Sequence, residues 1–255
     1  MKFFVISDIH GFYDEMIEAL DKAGFDKDNP EHWLVVCGDY MDRGRQPSKV
    51  MRYLLNLPRK VLVKGNHEQL LLDCIYRGYP EYHDYSNGTA QTIIDLAEVY
   101  DFDLACDRIR SRVKRFVDQT VNYFETQNYI FVHSWIPTLP GENWNGKPWY
   151  TQNRFDIFNP DWRQGNQVEW DAAMWGNPFN NYLLGLNQTG KTIVFGHWHC
   201  STGHKILGHC NDEFGNDTIW EPCYADGIIG IDRCTAHTGK CNVIVLEDEF
   251  LNGGN

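Results

Sequence analysis

Phe3-Phe4-Val5-Ile6-Ser7-Asp8-Ile9-His10-Gly11 decides how the rest of the chain is read: a strand-sized apolar run passes directly into a polar turn carrying an acid and an imidazole. The same pattern returns twice within the first seventy residues. Trp33 to Cys37 runs into Gly38-Asp39-Tyr40-Met41-Asp42-Arg43-Gly44, and Val61 to Val63 runs into Gly65-Asn66-His67-Glu68. Helical periodicity over Tyr13 to Ala23 and Ser48 to Leu57 separates the three strands, so this half reads strand, helix, strand, helix, strand. Loops at the carboxyl ends of strands in an α/β sheet gather into one crevice, which brings three sequence-distant polar clusters to one place.

Working outward, apolar positions between Thr89 and about Val121 predict two or more helices packed outside the sheet. Tyr129 to Val132 restarts the strand pattern and ends in His133-Ser134, and Thr192 to Phe195 ends in Gly196-His197-Trp198-His199. Residues 135 to 190 are rich in Trp, Asn, Gly and Pro with weak periodicity, the composition of an irregular insertion that walls a cleft and helps to set substrate choice. Short strands at Ile228 to Ile231 and Val243 to Leu246 suit a second mixed sheet stacked on the first. The expectation is a single α/β domain over residues 1 to 255 that carries the insertion.

A formal charge of -12 opposes the phosphate backbone of nucleic acid, and no basic run offsets it, so general nucleic-acid binding is excluded. No apolar stretch approaches membrane-spanning length. The first strand follows Met1 directly, without an export signal. Eight cysteines in a chain of this size, with Cys37 and Cys74 inside apolar segments, suit reduced thiols, and the expected compartment is the cytoplasm.

The polar clusters supply what a dinuclear hydrolytic centre requires: hard oxygen donors, neutral imidazoles and a carboxylate that bridges two ions roughly 3.5 Å apart. Asp8 and His10, one residue apart at an extended strand end, point the same way and clasp one ion. Asp39 is the natural bridge, and Gly38 before it lets the backbone come close. Asn66, His133 and His197 complete the second ion, the Asn66 amide giving an oxygen without further negative charge. Each motif alone is common, but a bland fold gives no reason for five ligand-bearing clusters each to follow an apolar strand.

Taken together, Asp8-Ile9-His10-Gly11, the Gly38 to Gly44 motif and Gly65-Asn66-His67-Glu68 resemble the calcineurin-like metallophosphoesterases, and within them the phosphoprotein phosphatase branch that includes diadenosine tetraphosphatases. Val132-His133-Ser134 and Gly196-His197 extend the resemblance; residues 70 to 128 and 135 to 190 do not carry it. It implies an α/β/β/α four-layer sandwich of two mixed sheets and two divalent ions, manganese first, with iron or zinc as alternatives. It further implies that Asp8, His10 and Asp39 hold the first ion, that Asp39, Asn66, His133 and His197 hold the second, and that a water activated between them attacks phosphorus. By the same carry-over, His67 protonates the leaving oxygen, Asp42 orients His67, and Arg43 grips phosphate oxygens beside Asn66 and His67. The plain alternatives are a helix N-cap for Asp42 and a solvated surface charge for Arg43. Glu68 reads as the start of a helix, where its charge suits the dipole.

Two departures from the branch matter. The Gly-His motif carries a second imidazole, His199, which in the wider superfamily reaches the first ion; strand-end alternation favours this role and the intervening Trp198 argues against it. A second phosphate-gripping arginine expected after a Trp is absent at Met174-Trp175-Gly176-Asn177-Pro178, leaving Asn177, Arg154 or Arg163 as substitutes. Cys200, Cys210, Cys223, Cys234 and Cys241 lack a paired zinc knuckle and read as structural thiols. Trp144, Trp149, Tyr150, Trp162 and Trp170 read as core, with stacking on a nucleobase as the alternative. The expected activity is phosphomonoester hydrolysis of the serine/threonine protein phosphatase type, acting on a phosphorylated protein or a small phosphoester. The alternatives are a dinucleoside polyphosphate hydrolase and, lastly, a non-catalytic phosphate- or protein-binding module.

Overall fold

A computed structural model describes residues 1–141 and 156–251. In chain order the first half runs β1 (Lys2–Ile6), α1 (Tyr13–Ala23), β2 (His32–Cys37), α2 (Pro47–Asn56), β3 (Lys60–Val63) and α3 (Asn66–Arg77), as the apolar pattern predicts. α4 (Tyr82–Ser86), α5 (Thr89–Ala97) and α6 (Phe102–Val117) follow. The second half holds β4 (Tyr123–Glu125), β5 (Tyr129–Val132), β6 (Thr138–Pro140), β7 (Asp156–Phe158), α7 (Gln167–Met174), α8 (Pro178–Leu183) and β8 (Thr192–Phe195). α9 (Cys200–Ile206), β9 (Cys223–Ala225), β10 (Ile228–Gly230), α10 (Thr235–Thr238) and β11 (Ile244–Glu247) complete it.

Two mixed sheets result. One has the order β11-β1-β2-β3 and the other β4-β5-β8-β10-β9. β1, β2 and β3 are parallel, as are β5, β8 and β10, so the chain leaves each of these strands at its carboxyl end on the same rim. Phe3, Val5, Val35, Cys37 and Val63 of the first sheet face Phe131, Val194 and Ile229 of the second across a buried seam. Outside the first sheet, Phe4, Ile6, Leu34 and Val36 pack under α1 to α3 and α5 to α6; outside the second, Val132, Ile193 and Phe195 pack with Trp135, Trp162, Trp170 and Phe179. This is the four-layer α/β/β/α sandwich, with helices covering both outer faces.

Two expectations need correction. The segment 135 to 190 is not irregular throughout. β6 and β7 pair antiparallel, and α7 and α8 are regular helices, while residues 142–155, including Trp144, Trp149, Tyr150 and Arg154, lie outside the described residues. Their start signals are local: Asn166 and Glu169 form a capping box on α7, and Asn177 caps α8 ahead of Pro178. Helices of eight and six residues span too few turns to show a clear period. The last strand, expected in the second sheet, instead pairs antiparallel with β1 and closes the edge of the first. Its one inward face, Ile244 and Leu246, suits either sheet edge equally, so its pattern does not choose between them.

Among the described residues no helix is long and apolar enough to cross a membrane. Phe131 lies fully buried in the seam, against Phe3 and Phe124. Phe131→Ala removes a ring both sheets pack on and is expected to cost about 3–5 kcal/mol of unfolding free energy, read as a lowered urea midpoint at unchanged slope.

Candidate metal centre and active site

At the shared rim the backbone adopts a conformation that side-chain-bearing residues seldom take. Asp8, His10, Asp39, Arg43 and His197 all have positive φ, from 49° to 77°. Such residues persist only where the surroundings over-determine them, and they concentrate at functional sites. Here backbone bonds cross-brace the turns: Asp8 N–H donates to Gly38 C=O (3.1 Å), His10 N–H to Asp39 C=O (2.9 Å) and Gly44 N–H to His10 C=O (2.7 Å). Gly38, at φ 84°, is the close-approach position the sequence suggests, because a Cβ there would lie 2.5 Å from His133 Nδ1 and 2.7 Å from Gly65 Cα.

Asp39 sits at the centre. Its Oδ2 faces His10 Nε2 at 3.7 Å and His67 Nε2 at 3.8 Å, while its Oδ1 faces His133 Nε2 at 3.4 Å. His133 Nε2 also lies 2.8 Å from Asn66 Oδ1 and 3.2 Å from His197 Nδ1. His133 Nδ1 lies 2.8 Å from the Cys37 carbonyl, which can only accept, so Nδ1 donates there and Nε2 faces Asn66 Oδ1 and Asp39. Ring nitrogens and side-chain oxygens converging in this way offer ligand atoms to a cation. Asp8 places Oδ1 4.0 Å from His10 Nε2, and its Oδ2 accepts the His197 N–H at 3.0 Å. Two groups share Asp39, His10–Asp39–His67 and Asp39–His133–His197, and fit a pair of cations with mixed oxygen and nitrogen donors that suit manganese, iron or zinc; Asp8 stands beside the first group rather than within it.

The electrostatics agree with this fit. Burial, with Asp39 beside it, pushes Asp8 up to about 8. Burial also acts to raise Asp39, but His133, His67, His10 and His197 together hold it below the usual carboxylate range. Burial and the neighbouring His67 keep His10 neutral, and burial with His133 lowers His197 to about 3. One acid that resists ionisation, Asp8, beside an ionised Asp39 and the depressed imidazoles of His10 and His197, forms a site that suits a cation.

Arg43 and His67 line the pocket, and Asp42 lies buried behind His67. His67 Nδ1 lies 2.8 Å from Asp42 Oδ2, which also accepts the Thr89 hydroxyl at 2.5 Å. Arg43 Nη1 lies 3.0 Å from His10 Nε2, and Nη2 lies 3.2 Å from His67 Nε2. Burial works against protonating His67, but Asp39 and Asp42 outweigh it and raise the ring to about 9. The pocket, about 180 Å³, is lined by Arg43, His67, Asp8, His10, Asp39, Asn66 and His197 with Leu70, Asn87, Trp175, His199 and Asp232.

His199 lines the pocket but stands outside both donor sets: its Nδ1 lies 3.4 Å from Glu213 and its Nε2 4.0 Å from Asp232. Neither described candidate for the second arginine's place reaches the phosphate pocket. Asn177 Oδ1 caps α8, and Arg163 binds Glu125 across 2.6 Å. Trp162 and Trp170 are buried in the second core. Cys200 and Cys223 are buried free thiols, and no described group of late cysteines and histidines converges as a metal site does.

Sequence reasoning missed three contributors. Glu68 does more than start α3: its buried carboxylate accepts the Asp39, Tyr40 and Gly65 N–H groups, tying the β2 and β3 loops together. Asp232, just past β10, is pushed up to about 7 by burial and Asp8, and the strand-then-acid signal used for Asp8 would have found it. Thr89 opens a helix and gives no local sign that it reaches Asp42.

The calcineurin-like phosphoesterase family model matches residues 1–201, and the chain belongs to that family of dinuclear-metal phosphoester hydrolases. The chain is 31% identical over 132 residues to a symmetrical bis(5'-nucleosyl)-tetraphosphatase of Hamiltonella defensa, covering 51% of this chain and 45% of that protein. It is 43% identical over 76 residues to the asymmetrical bis(5'-nucleosyl)-tetraphosphatase PrpE of Bacillus velezensis, covering 26% and 30%. The chain thus spans less than half the length of these curated relatives. A metallophosphoesterase from Sphaerobacter thermophilus shares the fold, with TM-score 0.51 at 13% identity over 97% of this chain and 84% of that one.

Cation binding is testable without turnover. Mn2+ at a hundredfold excess over its Kd is expected to stabilise the metal-stripped protein by about 2.7 kcal/mol. Thermal unfolding reads this as a raised Tm, and Asp39→Asn should abolish most of the rise.

Proposed function

We propose that this chain hydrolyses a phosphoanhydride bond of dinucleoside polyphosphates, such as diadenosine tetraphosphate, with a pair of divalent cations, manganese being the proposed occupant. The observation that carries hydrolysis is the pair of groups sharing Asp39, with His10 and His67 on one side and His133 and His197 on the other, beside Arg43 in one pocket. The relatives' names support the dinucleotide substrate. Among the described residues Arg43 is the pocket's one arginine, which weakens the grip expected for a phosphoprotein's phosphomonoester. Serine/threonine-type phosphatase activity, the first expectation from sequence, therefore becomes the second reading. A silent binding module gives no reason to keep an oriented His67–Asp42 pair beside the cation ligands.

In this reading residues 1–255 act as one catalytic domain in the cytoplasm. Asp8, His10 and Asp39 hold one cation; Asp39, Asn66, His133 and His197 hold the other. When bound, the cations supply Lewis-acid charge to the phosphoryl oxygens and lower the pKa of the attacking water. Arg43 presents its guanidinium to those oxygens, where planar charge-assisted bonds strengthen as charge grows. Its hydrogen bond to His67 Nε2 is then given up, and Nε2 is free to carry a proton. As the new P–O bond forms and the bridging P–O bond breaks, His67 gives that proton to the departing oxygen, while Asp42 and Thr89 hold the ring in place. His199 steadies Asp232 and stays outside the donor sets.

The decisive assay offers metal-stripped protein, with and without Mn2+, diadenosine tetraphosphate, a phosphothreonine peptide and p-nitrophenyl phosphate. Mn2+-dependent preference for the dinucleotide is expected; a preference for the peptide would establish the second reading instead. His67→Asn should lower kcat on the dinucleotide by about 10²–10⁴-fold. The loss should be larger on the phosphothreonine peptide, whose alkoxide leaving group departs only with a proton, than on p-nitrophenyl phosphate.

A further inference from the structure

One wall of the pocket continues into an aromatic cluster that none of the three buried cores of the described residues includes. His199, which lines the pocket, lies edge-on to Phe214 with ring centroids 5.6 Å apart, and 6.3 Å from Trp220. Phe214 stands 5.5 Å from Trp220 and 5.3 Å from His237, and Trp220 and His237 are 5.4 Å apart. Phe214 is 55% exposed, so the ring is presented to solvent rather than spent on packing.

The loop that presents it is braced. Thr218 Oγ1 accepts the Gly215 N–H at 2.6 Å, Asp217 accepts the Asn211 N–H at 3.0 Å, and the Thr202 hydroxyl donates to Glu213 at 2.6 Å. Asn242 Nδ2 donates to the Trp220 carbonyl at 2.8 Å, anchoring the far side. An exposed aromatic on a pre-organised loop offers contact area at small entropic cost, as binding surfaces do.

We propose that Phe214, Trp220 and His237 form the shelf on which one nucleobase of the substrate stacks, with His199 marking the passage from the phosphate pocket. This deepens the dinucleoside polyphosphate reading and rests on it. Stacking tolerates any base, because every base offers a π-face, so the shelf recognises a nucleotide without choosing among adenine, guanine or pyrimidines.

The test compares kcat/KM for diadenosine tetraphosphate and p-nitrophenyl phosphate in wild type, Phe214→Ala and Phe214→Tyr, all in Mn2+. Phe214→Ala is expected to lower the dinucleotide to p-nitrophenyl phosphate ratio by about five- to hundredfold through KM, with Phe214→Tyr restoring it. An unchanged ratio in an enzyme that turns over the dinucleotide overturns the shelf and leaves the activity standing. If wild type does not turn over the dinucleotide, titration calorimetry with adenosine monophosphate and with inorganic phosphate separates the two ideas. Weaker nucleotide binding but unaltered phosphate binding in Phe214→Ala keeps the shelf; equal nucleotide binding removes it.

Discussion

A buried carboxylate needs a counter-charge or hydrogen-bond donors, and Asp39, whose Oδ1 accepts the His67 N–H at 3.1 Å, sits where the site's side chains converge. Its two oxygens face His10 and His67 on one side and His133 on the other, 3.4 to 3.8 Å away. Asp8, Asn66 and His197 add more acceptors nearby. Burial makes each of these groups costly on its own, and a pair of cations relieves the whole set. The fold exists to hold that arrangement: parallel strands in both sheets deliver their loops to one rim, and the buried seam of Phe3, Val35, Phe131 and Val194 keeps the two sheets in register.

The backbone around the site carries the strain of that convergence. Asp8, His10, Asp39, Arg43 and His197 share left-handed φ values, and each loop is pinned by hydrogen bonds to its neighbour. Glu68 clamps two loops at once, since its single carboxylate takes N–H groups from the loops after β2 and β3. Glycine is required where strand ends meet most closely: a Cβ on Gly38 would collide with the His133 ring, and one on Gly196 with the Asp8 carboxylate. Packing of this kind leaves the ligand positions little freedom before any cation arrives, which is what pre-organisation means for a hydrolytic site.

Chemistry and specificity occupy separate parts of the molecule. Groups from β1, β2, β3, β5 and β8 build the phosphate-facing centre. The wall that a substrate's remaining parts would meet comes from Trp175, between α7 and α8, and from the loop after α9 that carries Phe214 and Trp220. The first set has little freedom to vary, because each residue must reach a shared carboxylate. The second can change without disturbing the sheets, which is how one fold serves many phosphoesters.

Strand-then-acid and strand-then-histidine patterns identified Asp8, His10, Asp39, Asn66, His133 and His197 because hydrophobic period and ligand chemistry are both local properties of a sequence. They also led to two sheets under helices and to a dinuclear centre. The sequence by itself determined the strands that end in the polar clusters, the donor types they offer and the class of reaction those suit, but not the short strands β4, β6, β7 and β9. Tertiary structure alone decided what depends on pairs distant in the chain: that β11 closes the first sheet, that Glu68 braces two loops, and that Thr89 holds Asp42. It also decided that His199 turns to Glu213 and Asp232 rather than to Asp39. A side chain's partner is set by where the backbone delivers it in space, and no local period encodes that delivery.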